Sequence, residues 1–164
     1  MIKKEYPTTV GDIMTTEVTT VNPHQTLADA LALLRIHLFH HLLVVDAEEK
    51  LVGVFSDRDL LGAVARARDL SALEIGRIMT PRPFTVAPEC SLALAASEMV
   101  SKKINCLPVV TDDQMVVGIV TSTDLLRSYQ RIVEAMSEKL QQIGFIEFSL
   151  EGYSAYAPST NTKQ

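Results

Sequence analysis

The chain is 164 residues long, enough for one domain or two very small ones, and its 47% hydrophobic content excludes intrinsic disorder for most of it. Lys+Arg 15 against Asp+Glu 20 leaves a net charge of −5, which argues against a nucleic-acid surface. Two cysteines, Cys90 and Cys106, are too few for a disulfide scaffold and match no metal motif.

From the N-terminus, residues 1–9 are a charged lead-in with no apolar stretch behind it, so no signal peptide is expected. No run approaches the roughly 18 apolar residues of a membrane span, and a soluble, cytoplasmic protein is the expectation. The chain then repeats itself. Gly11–Leu61 aligns with Gly76–Leu126 without a gap, and about a third of the pairs are identical, against roughly 7% from ordinary residue usage. The pairs include Gly11/Gly76, Ile13/Ile78, Met14/Met79, Pro23/Pro88, Gly53/Gly118 and Asp59/Asp124. The organisation read from this is a first repeat at 10–68, a second at 69–130 and an extension at 131–164.

Each copy opens with Gly-x-Ile-Met-Thr and a brief extended segment, Val18–Val21 or Phe84–Val86, broken by Pro23 or Pro88. Thr26 and Ser91 are good N-caps, and Thr26-x-x-Asp29 has the pattern of a capping box. The helices they open carry Leu27, Ala30, Leu31 and Leu34, or Leu92, Ala95, Ala96 and Met99, at helical spacing. Apolar runs Leu42–Val45 and Leu51–Phe55, joined by Asp46–Lys50, predict a hairpin; Leu107–Val110 and Val116–Val120 predict its counterpart. A second helix starts at Ser56 and at Thr121. The fold class is therefore α+β: two β-α-β-β-α repeats packed as a pseudo-twofold pair.

Beyond the second copy, Leu125, Leu126, Tyr129, Ile132, Val133, Met136, Leu140 and Ile143 lie on one stripe of a helix that extends to about Gln142. The alternation in Phe145–Glu151 is that of an additional strand, and Pro158–Gln164 is polar.

The segments richest in chemistry are Gly53-Val54-Phe55-Ser56-Asp57-Arg58-Asp59 and Gly118-Ile119-Val120-Thr121-Ser122-Thr123-Asp124. A glycine within a strand marks close approach by a ligand or by another backbone. A helix N-terminus suits a phosphate, and a carboxylate beside it can accept both hydroxyls of a ribose. Ser/Thr-x-x-Asp is equally a capping box that requires no ligand, and a duplication copies caps as readily as sites.

The paired Gly-x-Ile-Met-Thr, the Leu-Pro-Val-Val of Leu107–Val110 and the paired Gly-h-h-Ser/Thr-x-x-Asp together resemble a tandem pair of CBS domains, the Bateman module. The resemblance covers about residues 10–126. It implies a regulatory module, not an enzyme, that binds adenosine-type nucleotides reversibly between its repeats: AMP, ADP, ATP or S-adenosylmethionine. It also implies a homodimer, with an effector protein as a further partner, and no tightly bound cofactor. Carried over, one site would use Val54, Ser56, Arg58 and Asp59 with Phe84 and Thr85 of the second copy. The other would use Ile119, Thr121, Thr123 and Asp124 with Thr19 and Thr20 of the first. Where the family places a basic residue facing the phosphates stand His40 and His41 in copy one, and Asn105 and Cys106 in copy two. Leu43 replaces the family's proline in copy one. This set favours a weakly charged ligand or a monophosphate, with Arg58 making the first site the better phosphate site. For the homodimer, Leu60, Leu61 and Val64 with Leu125, Leu126 and Tyr129 are expected to present apolar helix faces.

Two alternatives stand beside this reading. His37, His40 and His41, at i, i+3 and i+4, could hold a transition metal, although no carboxylate cluster or cysteine completes the sphere and the expectation is no metal. The pair could also be a structural or dimerisation module without a ligand.

Overall fold

Polar turns between β-branched runs fold each hairpin as the sequence predicts. The computed structural model describes residues 6–37, 40–65 and 69–143. In the first repeat these form β1 (Thr20–Val21), α1 (Leu27–His37), β2 (His41–Val45), β3 (Leu51–Ser56) and α2 (Asp57–Val64). Then follow β4 (Thr80–Pro81), α3 (Leu92–Lys102), β5 (Cys106–Val110), β6 (Val116–Thr121) and α4 (Ser122–Gln142). Both hairpins carry a register irregularity at the same place, between Val44 and Val45 and between Val109 and Val110.

The first sheet has the order β1-β2-β3-β4, with β1 parallel to β2 and the rest antiparallel. Its edge strand β4 belongs to the lead-in of the second repeat. The second sheet, β5-β6, repeats the plan with single bridges: Val86 lies parallel to Val109, and Thr15 lies antiparallel to Ile119. Each repeat thus lends its Gly-x-Ile-Met-Thr segment to the other's sheet and keeps the following extended segment for its own.

Glycine permits the exchange. Gly11 N donates to Pro88 O and Gly76 N to Pro23 O, both at 2.8 Å. A Cβ on Gly76 would stand 2.9 Å from the Cβ of Pro23. Just before these glycines, Val10 is fully buried in the core of the second repeat, with Leu107, Val109 and Val120. Ile75 is fully buried in the core of the first, with Leu27, Leu42, Val44 and Phe55. Burying one such side chain is worth about 1.5–3 kcal/mol, so each exchanged segment anchors the pair. A third cluster, Leu43, Val54 and Cys106 with Val18 and Ile119, joins residues of both hairpins on the sheet faces turned away from these cores. Leu43 fills its proline-like position there at 1% exposure.

The helix faces differ in part from expectation. Leu60 is buried in the first core and Leu125 packs against the second, because each sits one turn into its helix on the side facing the sheet. Leu61 (72% exposed), Leu126 (68%) and Tyr129 (67%) do face outward, as does Val64. The chain divides into two units, Met1–Ser128 and Tyr129–Gln164. In the second unit, Val133, Met136 and Ile143 are exposed while Ile132 and Leu140 are half-buried. The strand read from 145–151 and the polar end at 158–164 lie outside the described residues. Among those described, no helix is long and apolar enough to cross a membrane.

Candidate ligand-binding clefts

Asp59 and Asp124 occupy matched positions where a strand hands over to a helix. The Ser56 N–H and hydroxyl both donate to Asp59 Oδ2, at 2.8 and 2.6 Å, and Asp59 N donates back to Ser56 Oγ at 3.3 Å. Thr121 and Asp124 repeat this at 2.9, 2.6 and 3.3 Å. In each carboxylate Oδ2 is engaged, while Oδ1 takes no hydrogen bond among the described residues. The exposed pair Thr26 and Asp29 makes the same three bonds. Capping alone therefore accounts for the bonding. The two later boxes differ from it in being half-buried and in following a glycine-bearing strand.

Those strand glycines are occupied by protein. A Cβ on Gly53 would overlap Sδ of Met79, and one on Gly118 would stand 2.8 Å from the Thr15 carbonyl oxygen and 2.9 Å from Met14 Sδ. Of the two reasons for a glycine in a strand, approach by a neighbouring segment is the one realised, and the exchanged Ile-Met-Thr supplies it.

A cavity of about 350 Å³ is lined by Arg58, within the first box, by Ser122, within the second, and by Met99, Val100, Lys103, Ile104 and Asn105 of the second repeat. It brings two of the sequence-derived residues, Arg58 and Asn105, to one concavity across the repeats. It also adds Lys103, which the sequence reading missed. The helical pattern of α3 carried no glycine to mark its end, and Lys103 itself takes the left-handed C-cap, φ 55° and ψ 41°.

Around the box of the first repeat, His40 Nδ1 lies 2.9 Å from Asp57 Oδ2, and Asp57 N donates to His40 O at 3.1 Å. The hydrogen bond from His40 holds the Asp57 carboxyl below its ordinary value, against a smaller opposing effect of burial. His41 is opposite Ser56 in the sheet. Burial pushes its imidazole pKa down, and within electrostatic reach lie Asp57, His40, Asp59 and Arg58, with opposing effects. In the second repeat Ser122 N donates to Asn105 O at 3.0 Å. Cys106 is buried with Leu43 and Val54, and burial pushes its thiol up to about 12. It is a neutral packing group there.

The remaining residues stand as follows. Val54 pairs with Thr80 and Ile119 with Pro108, and both enter the cluster between the hairpins. Phe84 is exposed, with Lys102 Nζ 3.9 Å from its ring centroid. Thr85 is half-buried next to Val86, which bonds to Pro108. Thr20 pairs with Leu43, Thr19 precedes it half-buried, and Thr123 is exposed. Among the described residues no hydrogen bond joins Phe84 or Thr85 to Asp59, nor Thr19 or Thr20 to Asp124. No three His, Cys, Asp or Glu among them are grouped to hold a metal ion; the side chain of His37 lies outside them.

Two duplicated β-α-β-β-α units that exchange their lead-ins and carry matched Ser/Thr-x-x-Asp boxes define a tandem-repeat module. The model of the CBS domain matches residues 10–66 and 75–131, and the chain belongs to that family. Its fold is shared by CBSX2 solved in complex with AMP, at 32% identity and TM-score 0.71, over 77% of this chain and 99% of that one; another structure of CBSX2 is from Arabidopsis thaliana. A CBS domain pair in complex with 5′-methylthioadenosine and S-adenosyl-L-methionine aligns at 32% identity and TM-score 0.70, over 76% of this chain and 98% of that one. The cytosolic domain of the Mg2+ channel MgtE in complex with ATP aligns at 30% identity and TM-score 0.64, over 74% of this chain and 49% of that one. Among curated proteins, a homoserine O-acetyltransferase of Methanohalobium evestigatum is 32% identical over 120 residues; the match covers 73% of this chain but 24% of that enzyme's length.

Proposed function

We propose that this CBS pair is a regulatory module that binds an adenosine-type ligand reversibly in the clefts between its repeats. The observation that carries the reading is the pair of half-buried carboxylates, Asp59 and Asp124, each with Oδ1 unengaged at a helix N-terminus. Related pairs with AMP, with S-adenosyl-L-methionine and 5′-methylthioadenosine, and with ATP support it. In this reading Asp59 accepts the ribose hydroxyls in the first cleft, with Ser56 and Arg58 beside it, Val54 under the base, and Phe84, Thr85 and Asn105 from the second repeat. Asp124 does so in the second cleft, with Thr121, Thr123 and Ile119, and with Thr19, Thr20, His40 and His41 from the first repeat. Cys106 lines the floor as a packing group. The module works as a homodimer in the cytoplasm and signals occupancy through its dimer interface or an effector protein. It performs no catalytic step and binds neither nucleic acid nor membrane.

The complete capping boxes favour a second reading, a structural pair without a ligand, since each aspartate already has a role in its helix. A thermal-shift series with AMP, ADP, ATP, S-adenosylmethionine, NAD and cyclic dinucleotides separates the two. A ligand at 100 times its Kd adds about 2.7 kcal/mol of stability. If none of these compounds moves the melting temperature at millimolar concentration, the structural reading replaces the sensor.

A further inference from the structure

We infer that the later part of α4, from Tyr129 onward, is a coiled-coil seam that pairs antiparallel with the same segment of a second copy; this rests on the homodimer reading and gives it a contact largely beyond the repeats. The repeat plan does not account for this segment. α2 spans 8 residues, Asp57–Val64, and closes with Ala65 as its C-cap. α4 starts at the matching position and spans 21 residues, Ser122–Gln142. The CBS match ends at residue 131, yet the Ile143 N–H still donates to Lys139 O at 3.3 Å, so the helical ladder runs to the last described residue.

The apolar face of this surplus has the spacing of a seam. Tyr129, Val133, Met136, Leu140 and Ile143 follow one another at intervals of 4, 3, 4 and 3, the alternation of d and a positions in a heptad. Tyr129 is 67%, Met136 52% and Ile143 66% exposed, Val133 is exposed and Leu140 half-buried. At the flanking e and g positions Gln130, Ser137 and Lys139 are polar and Ile132 alone is apolar. Docking on a globular surface uses a broader stripe; this narrow one fits a helix of the same period, which a second copy presents by construction.

Charge selects the orientation. Arg127 and Arg131 precede Glu134 and Glu138 along the helix. Parallel copies would set like charges at the same level, whereas an antiparallel pair sets the basic part against the acidic part and opposes the two helix dipoles. These charges lie on outer heptad positions, so their effect is long-range and modest. In the antiparallel register Val133 of each copy meets Met136 of the other, and Tyr129 meets Leu140, a twofold contact in which one patch serves both chains. About two heptads are too short to hold two chains alone, so the seam adds to whatever contact the repeats make.

Sedimentation equilibrium of the full chain tests this with wild type, with Val133→Glu/Leu140→Glu and with Gln141→Glu, which places a charge on the outer face. The seam variant should raise the dimer dissociation constant at least about tenfold, because its charges fall at buried a positions, and Gln141→Glu should leave it unchanged. Orientation is read by disulfide cross-linking: the variants Tyr129→Cys and Leu140→Cys should link to each other when mixed, and neither should link to itself. An unchanged dissociation constant in the seam variant, or cross-links formed only within each variant, overturns the inference and leaves the homodimer standing. An unchanged constant with a lowered melting temperature overturns it as well, by showing that the face is covered by its own chain. A wild-type monomer removes the homodimer reading and the seam together.

Discussion

The carbonyl oxygen of Thr15 stands 2.8 Å from where a Cβ of Gly118 would lie, and the Thr15 backbone exchanges two 2.9 Å hydrogen bonds with Ile119. That contact holds the first repeat's lead-in onto the second repeat's sheet. At the matching Gly53, the atoms in the way belong to the Met79 side chain. Gly118→Ala should therefore destabilise the protein by about 2 kcal/mol and Gly53→Ala by about 1 kcal/mol, because a side chain yields to overpacking more readily than a backbone carbonyl does. Chemical denaturation of the two variants measures both. The reverse ranking would mean that the lead-in is not held as described.

Asp59→Asn keeps the side-chain shape and removes the charge that accepts two bonds from Ser56. As a cap alone, Asp59 should show a stability loss of about 0.5–1 kcal/mol and no change in affinity. As a ribose acceptor it should also lose about tenfold to a hundredfold in ligand affinity, equivalent to roughly 1.5–3 kcal/mol. Asp124→Asn should act likewise on the second cleft. Titration of the double variant with unchanged affinity and stoichiometry would show two helix caps and no binding sites.

Acid should weaken the fold through His41. Its folded-state pKa is lowered, chiefly by burial, so below about pH 6.5 the unfolded chain takes up a proton that the folded chain resists. Stability is thus full above that value and falls as the pH drops, until the folded pKa is reached. The depressed Asp57 carboxyl adds a loss of the same sign at lower pH, small because it is largely exposed. Melting temperatures from pH 7.5 to 5 should fall more steeply for wild type than for His41→Gln. Parallel curves would remove His41 as the cause.

Leu61 on α2 and Leu126 and Tyr129 on α4 are each about two-thirds exposed or more, apolar surface that a partner would cover. Sedimentation at micromolar concentration should give twice the 18.0 kDa chain mass. Leu126→Glu with Leu61→Glu should shift the protein to a monomer with its melting transition retained. A wild-type monomer under these conditions contradicts the dimer.

Much of this molecule was legible from its residues. Gly11/Gly76, Met14/Met79 and Asp59/Asp124 revealed the duplication, and alternation, caps and turn residues placed both hairpins and the four α-helices of the described residues, because local periodicity and capping act over a few residues. The boxes at Ser56 and Thr121 were legible for the same reason, since a side chain three residues ahead meets the N-cap in any helix. What tertiary structure decided was every relation between the copies. Matched sequences do not say which sheet a lead-in joins, and only packing sent Val10 and Ile75 into each other's cores and seated Met79 over Gly53. Leu60 and Leu61 are identical in type, yet one lies in the core and the other in solvent, because the docking of α2 on its sheet sets which face is covered. Lys103 belongs here too. Its place beside Arg58 depends on a left-handed turn and on the approach of two repeats, and neither is encoded in the spacing of the residues alone.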